Sequence, residues 1–122
     1  MNITVLVENK PSPHNQALQE EHGLSLLIHS EYKTVLFDTG ASEKFATNAK
    51  ALGEDLREVD ALVLSHSHYD HTGGLARFLE LNDHAVIYIK KEAFSKKHYS
   101  IRGKEQREIG LNKEIVSKNK ER

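Results

Sequence analysis

Ala61-Leu62-Val63-Leu64-Ser65-His66-Ser67-His68-Tyr69-Asp70-His71-Thr72-Gly73-Gly74 decides how this chain is read. The apolar run at its start reads as a buried strand. Directly behind that run, His66, His68, Asp70 and His71 fall within six residues. Neutral imidazole and carboxylate are natural ligands for zinc, manganese or ferrous iron where no thiolate is present. Once the backbone leaves extended geometry after a strand, side chains 66, 68, 70 and 71 need not alternate between two faces and can converge. Gly73 and Gly74 are expected to lend the backbone freedom that such a tight loop needs. Strand-end loops are common homes for active sites. A histidine-rich surface loop is the bland alternative; the apolar strand on one side and the glycine pair on the other argue against it.

Outward from this stretch, the chain alternates strands and helices. Ile3-Thr4-Val5-Leu6-Val7 reads as a buried strand, and Pro11 and Pro13 force an irregular loop after it. Residues 24–28 and 34–37 read as two strands joined in a hairpin by the polar Ser30-Glu31-Tyr32-Lys33. Asp38-Thr39-Gly40 turns the chain out of the second. Ser42 is placed to cap a helix running to about Leu52, with Gly53 at its C-terminal end. Leu75, Phe78 and Leu79 mark a second helix ending near Asn82, and Ala85-Val86-Ile87-Tyr88-Ile89 reads as a further strand. The order β, ββ, α-β-α-β describes an α/β layered chain with helices covering a sheet.

His66-Ser67-His68-Tyr69-Asp70-His71 resembles the His-x-His-x-Asp-His signature of the metallo-β-lactamase-fold metallohydrolases. Leu36-Phe37-Asp38-Thr39-Gly40 is similar to that family's strand-Asp-x-Gly turn. The stretch from Glu21-His22-Gly23 through Gly74 looks most like the branch labelled dihydropterin-aminobenzene-phosphate-synthase-like. The resemblance spans about residues 3–94. It implies the N-terminal half of an αββα sandwich, a mixed sheet covered by helices on one face. It also implies roles. His66 and His68 would bind a first metal, Asp70 and His71 a second, and Asp38 would stand behind them and orient the histidine loop. Asp70 would also hold the attacking water or pass a proton, and His22 would lie on the substrate side. The cofactor would be one or two divalent ions, zinc before manganese or iron. The implied function is metal-dependent hydrolysis of a small-molecule ester, thioester or phosphoester by a metal-activated water.

The family completes its metal sites with later histidines and a bridging aspartate, and no segment with that context follows His71 in this sequence. A shortened hydrolase is therefore expected, with a non-catalytic metal-binding or interaction fragment as the alternative. A homodimer that completes the sandwich is the expected partner arrangement, because half a sandwich leaves one apolar sheet face uncovered. His14, His29, His84 and His98 read as surface residues, Glu20 and Glu21 as members of a solvated loop, and Tyr69 as packing beneath the histidine loop.

Composition narrows the rest. The 122 residues carry no cysteine, which excludes a disulfide framework and a thiolate zinc site. The net charge of −1 divides into −7 over residues 1–89 and +6 over residues 90–122. Residues 1–94 form the expected half domain, and 95–122 a basic, polar, weakly structured tail. That tail lacks the aromatic interleaving of nucleic-acid binders, so nucleic acid is not expected as a partner. No apolar run approaches the roughly 18 residues of a membrane span, and the start of the chain carries no leader pattern. A cytoplasmic protein is the expectation.

Overall fold

The computed structural model describes residues 1–10, 18–66 and 68–89 in full, and the backbone of 99–102 and 105–108. Strands β1 (Asn2–Val7), β2 (Ser25–His29), β3 (Thr34–Phe37), β4 (Ala61–Leu64) and β5 (Val86–Ile89) form one sheet in the order β1-β2-β3-β4-β5. The first three are antiparallel, and β3, β4 and β5 are parallel. Parallel neighbours need a crossover. Helix α1 (Lys44–Ala51) and a 3-10 turn (Leu56–Glu58) supply the one from β3 to β4; α2 (Tyr69–Thr72) and α3 (Leu75–Leu81) supply the one from β4 to β5. The expected hairpin, crossover helices and mixed sheet are all present.

Register assigns the faces. Leu27, Leu36, Leu62 and Ile87 stand opposite one another across β2 to β5. The first three of these are 1% exposed or less, beneath Phe45 and Ala49 of α1 and Leu75 and Phe78 of α3. The neighbouring row Val5, Leu26, Phe37, Val63 and Tyr88 points the other way. Its ends are open, Val5 at 45% and Tyr88 at 58%. Helices thus cover one face of the sheet. β1 is correspondingly not the fully buried strand its composition suggests. It lies at the sheet edge, Ile3 and Val5 face outward, and an irregularity between Val5 and Val7 turns both Leu6 and Val7 into the core.

Two buried amides tie the layers together. Asn48 Nδ2 donates to the Leu6 carbonyl (2.7 Å) and the Gln19 carbonyl (2.8 Å), joining α1 to β1. Asn82 Nδ2 donates to the carbonyls of Leu56 (3.0 Å) and Val59 (2.9 Å), closing the end of α3 on the chain that enters β4. At the end of α1, Gly53 takes a φ of +76°. Its N–H meets the Lys50 carbonyl and the Glu54 N–H meets that of Ala49, a Schellman closure that matches the expected glycine cap. The N-terminal end differs in register from expectation: the capping position is Glu43, while Ser42, one residue earlier, donates its hydroxyl to Glu21 and accepts the Lys44 N–H (3.3 Å).

Within the segment read as a tail, β6 (Tyr99–Arg102) pairs antiparallel with β7 (Glu105–Glu108). The Pro11–Pro13 loop and residues 109–122 lie outside the described residues. Among the described residues no helix is long and apolar enough to cross a membrane.

Candidate metal centre

The carboxyl ends of β3 and β4 lie side by side because the two strands are parallel neighbours. Open α/β sheets gather ligands at that edge. Asp38 leaves β3 there, and Ser65 and His66 leave β4. The Asp38 N–H still donates to the Val63 carbonyl (2.9 Å), one rung past the end of β3. Asp38 then takes a φ of +58°, a left-handed conformation that aspartate tolerates better than most residues. This bend turns its carboxylate inward, where it is fully buried.

That carboxylate accepts three hydrogen bonds from the histidine stretch. Oδ1 takes the Ser65 N–H (2.8 Å), and Oδ2 takes the Ser65 hydroxyl (2.6 Å) and His71 Nδ1 (2.7 Å). A carboxylate with these donors is an anchor rather than a free ligand. It leaves His71 Nε2 as the ring nitrogen available to an ion.

The loop itself is partly helical. Tyr69 to Thr72 form the single turn α2, and Thr72 Oγ1 donates to the His68 carbonyl (3.1 Å). Helical angles bring Asp70 and His71 round beside His66 and the extended His68. Ligand atoms of His66, His68 and Asp70 all lie within 4.8 Å of one another, as do those of Asp38, His66 and His71. The His66 ring meets His68 edge-on (centroids 4.8 Å) and His71 at a tilt (4.2 Å). Burial lowers the His66 pKa below 6.5, and the neighbouring His71 and His68 add to this, against Asp38 and Asp70. A neutral imidazole is the form that binds metal. Two or three imidazoles and a carboxylate, with no thiolate, fit a divalent ion of the zinc type.

Gly73 and Gly74 hold this loop against the Asp38 turn, for a reason other than the expected one. Both have ordinary right-handed backbone angles. They are small because space is lacking: a Cβ on Gly73 would run into the Ala41 carbonyl, and one on Gly74 would come within 2.6 Å of the Thr39 carbonyl and 2.5 Å of the Phe45 ring. Thr39 stitches the contact. Its N–H donates to the His71 carbonyl (2.7 Å), and its hydroxyl accepts from the Gly74 N–H (3.0 Å).

His22 Nε2 lies 3.3 Å from Asp70 Oδ2, and His71 Nε2 lies 3.6 Å from the same oxygen. His22 is well exposed and borders an open cleft of about 580 Å³ lined by Glu8, Asn9, Lys10, Gly23, Leu24, Asp70 and His71. The remaining histidines stand elsewhere. His29 bridges Glu54 (3.0 Å) and Thr34 (3.3 Å) at the opposite end of the sheet, and His84 is exposed beside Asp83. His14 and His98 lie outside the described residues. Glu21 is not the solvated residue it was expected to be. Its carboxylate accepts the Ala41 N–H (3.1 Å) and the Ser42 hydroxyl (2.5 Å), clamping the turn that follows Asp38. Ser65 and Glu21 were the contributors sequence reasoning missed; only the position of Ser65 between strand and first histidine hinted at a role.

The sequence pattern of the metallo-beta-lactamase superfamily matches residues 18–120. A Methanocaldococcus jannaschii protein named 7,8-dihydropterin-6-methyl-4-(beta-D-ribofuranosyl)-aminobenzene-5'-phosphate synthase is 37% identical over 87 residues, covering 66% of this chain and 30% of that protein. An uncharacterized protein of the same organism is 35% identical over 115 residues, covering 93% of this chain and 41% of its own length. Among solved structures, a metal-dependent hydrolase of the beta-lactamase superfamily superposes with a TM-score of 0.69 at 34% identity, covering 94% of this chain and 38% of that one. The metallo-beta-lactamase GOB-18 from Elizabethkingia meningoseptica gives a TM-score of 0.51 at 32% identity, over 59% of this chain and 27% of its own. The chain thus spans well under half the length of these relatives.

Proposed function

The chain belongs to the metallo-beta-lactamase superfamily, and from that premise we propose that it carries the histidine-loop half of a metal-dependent hydrolase acting on a small ester, thioester or phosphoester. The observation that carries the proposal is the convergence of His66, His68 and Asp70 at one strand end. The buried Asp38 behind them supports it. In this reading His66 and His68 hold one divalent ion, zinc before manganese or iron, and Asp70 and His71 hold a second or complete the first. When bound, such an ion supplies a Lewis acid and brings the pKa of water toward about 7.

The chain's own residues do the rest. Asp38 fixes His71 through Nδ1 and leaves Nε2 outward. Asp70, which lines the cleft, takes up a proton from attacking water in this reading. His22, 3.3 Å from Asp70 Oδ2 and exposed, is placed on the substrate side to steady the carboxylate or meet an anionic group.

A second reading, a metal-binding or interaction module without turnover, is favoured by the ligand count. Catalytic zinc usually keeps three protein ligands, and a division into two ions leaves each with two from residues 66–71. Zinc content after dialysis, taken together with turnover, separates the readings. We expect roughly one ion or more per chain, and His68→Ala to lose both the ion and any hydrolysis of a generic phosphodiester or thioester. Fewer than about 0.1 retained ions per chain would rule out the hydrolase reading for this chain, and unchanged turnover by His68→Ala would refute the site.

A further inference from the structure

Ser65 joins β4 to the histidine loop, and its hydroxyl has one proton for two neighbours. Oγ lies 2.6 Å from Asp38 Oδ2 and 2.7 Å from His66 Nδ1. A carboxylate only accepts, so the hydroxyl proton goes to Asp38. The Ser65 oxygen is left with its lone pairs toward His66. A hydrogen bond to that oxygen then requires His66 Nδ1 to donate, which leaves the lone pair on Nε2. His71 Nδ1 donates to the same Asp38 Oδ2 directly, at 2.7 Å.

We propose that Ser65 is a positioning residue that fixes the tautomer of His66, so that one buried carboxylate orients two imidazoles: His71 by contact and His66 through the Ser65 hydroxyl. The two rings, with centroids 4.2 Å apart, then offer Nε2 as the ligand atom without first having to shift a proton between ring nitrogens. The purpose of the relay rests on the metal-site reading above, but the direction of its hydrogen bonds does not. Hydroxyl and carboxylate partners of this kind are typically worth about 10–100-fold in metal affinity.

The test is nitrogen NMR on the ion-free, histidine-labelled full chain, at a pH well above the usual histidine range. We expect His66 to carry its proton on Nδ1. Ser65→Ala should lose that preference, and Ser65→Thr, which restores a hydroxyl, should retain it. The Ser65 N–H bond to Asp38 Oδ1, 2.8 Å, is a backbone bond that both variants keep, and the backbone amide spectrum checks their fold. Competition with a chromogenic chelator should show zinc bound about 10–100-fold more weakly by Ser65→Ala and near the parent value by Ser65→Thr. Three results would each overturn the relay: a parent His66 protonated mainly on Nε2, a Ser65→Ala variant with the parent tautomer, or a Ser65→Thr variant that behaves like alanine. If Ser65→Ala does not fold, the parent spectrum and Ser65→Thr still decide. The expected tautomers in a chain that retains no zinc would support the relay and refute the metal reading instead.

Discussion

Asp38 concentrates more of this molecule's chemistry than any other described residue. It is buried, bent into the left-handed region, and takes three donors from the segment that carries the histidines. Asn tolerates the same backbone angles, so Asp38→Asn tests the charge while sparing the bend. The substituted amide has one acceptor oxygen and two donors where the carboxylate had two acceptors. We expect a loss of about 1–3 kcal/mol in stability, read from urea midpoints, and zinc affinity lower by about 10–100-fold in chelator competition. A neutral result in both would mean that Asp38 is not the anchor of the loop. His66 makes a pH prediction. Its folded pKa lies below the unfolded 6.5, so as pH falls the unfolded chain takes the proton first. The stability of the ion-free chain is then fully present above about 6.5 and declines as pH drops through the lowered folded value. Urea midpoints on either side of that window check the sign, and His66→Gln should flatten the slope.

At the scale of elements, the two crossovers do the positioning. β3 and β4 are sequence neighbours only through α1 and the 3-10 turn, yet their parallel pairing sets Asp38 beside Ser65. Periodicity made this legible: the apolar runs at 34–37 and 61–64 and the helical spacing of Phe45, Ala46, Ala49 and Leu52 suffice to place the strands and α1. Short, contact-dependent features were not legible. The single turn α2 is too brief to show a period, the Glu21 clamp depends on a meeting with residues twenty positions away, and Ser42, which looks like a helix cap, gives its proton to that clamp while its oxygen accepts the Lys44 N–H at the start of α1 (3.3 Å). The glycine pair reads as a source of backbone freedom, because a sequence does not reveal that the turn after Asp38 packs directly against it. Gly74→Ala tests the distinction. Its backbone angles suit alanine, so a purely conformational role predicts a neutral or stabilising change. The collision with Thr39 and Phe45 instead predicts a loss of about 1–3 kcal/mol in urea unfolding, with weaker zinc binding.

For the whole molecule, the sheet has one face under helices and another whose margins are open. Ile3, Val5, Val86 and Tyr88 are 45–58% exposed on that second face. Apolar margins of this kind promote association, and the homodimer expected from the sequence would use them. Val5→Lys with Tyr88→Lys should lower the light-scattering mass at high protein concentration while changing stability by no more than about 0.5 kcal/mol, as surface substitutions do. Unchanged mass in a chain that does associate would place the contact elsewhere. Phe45→Ala, at the covered face, should by contrast cost about 3–5 kcal/mol.

The hairpin between β2 and β3 turns at the end of the sheet away from Asp38 and the histidine loop, with Tyr32 at its tip 86% exposed. Four residues of β3 separate the two ends, about 13 Å of extended chain. The sequence contains no cysteine, so Tyr32→Cys would introduce a single thiol for a fluorophore or a surface tether. A dye anchored there would stand off from the cleft, near enough to report quenching by a paramagnetic ion and far enough to leave its ligands undisturbed.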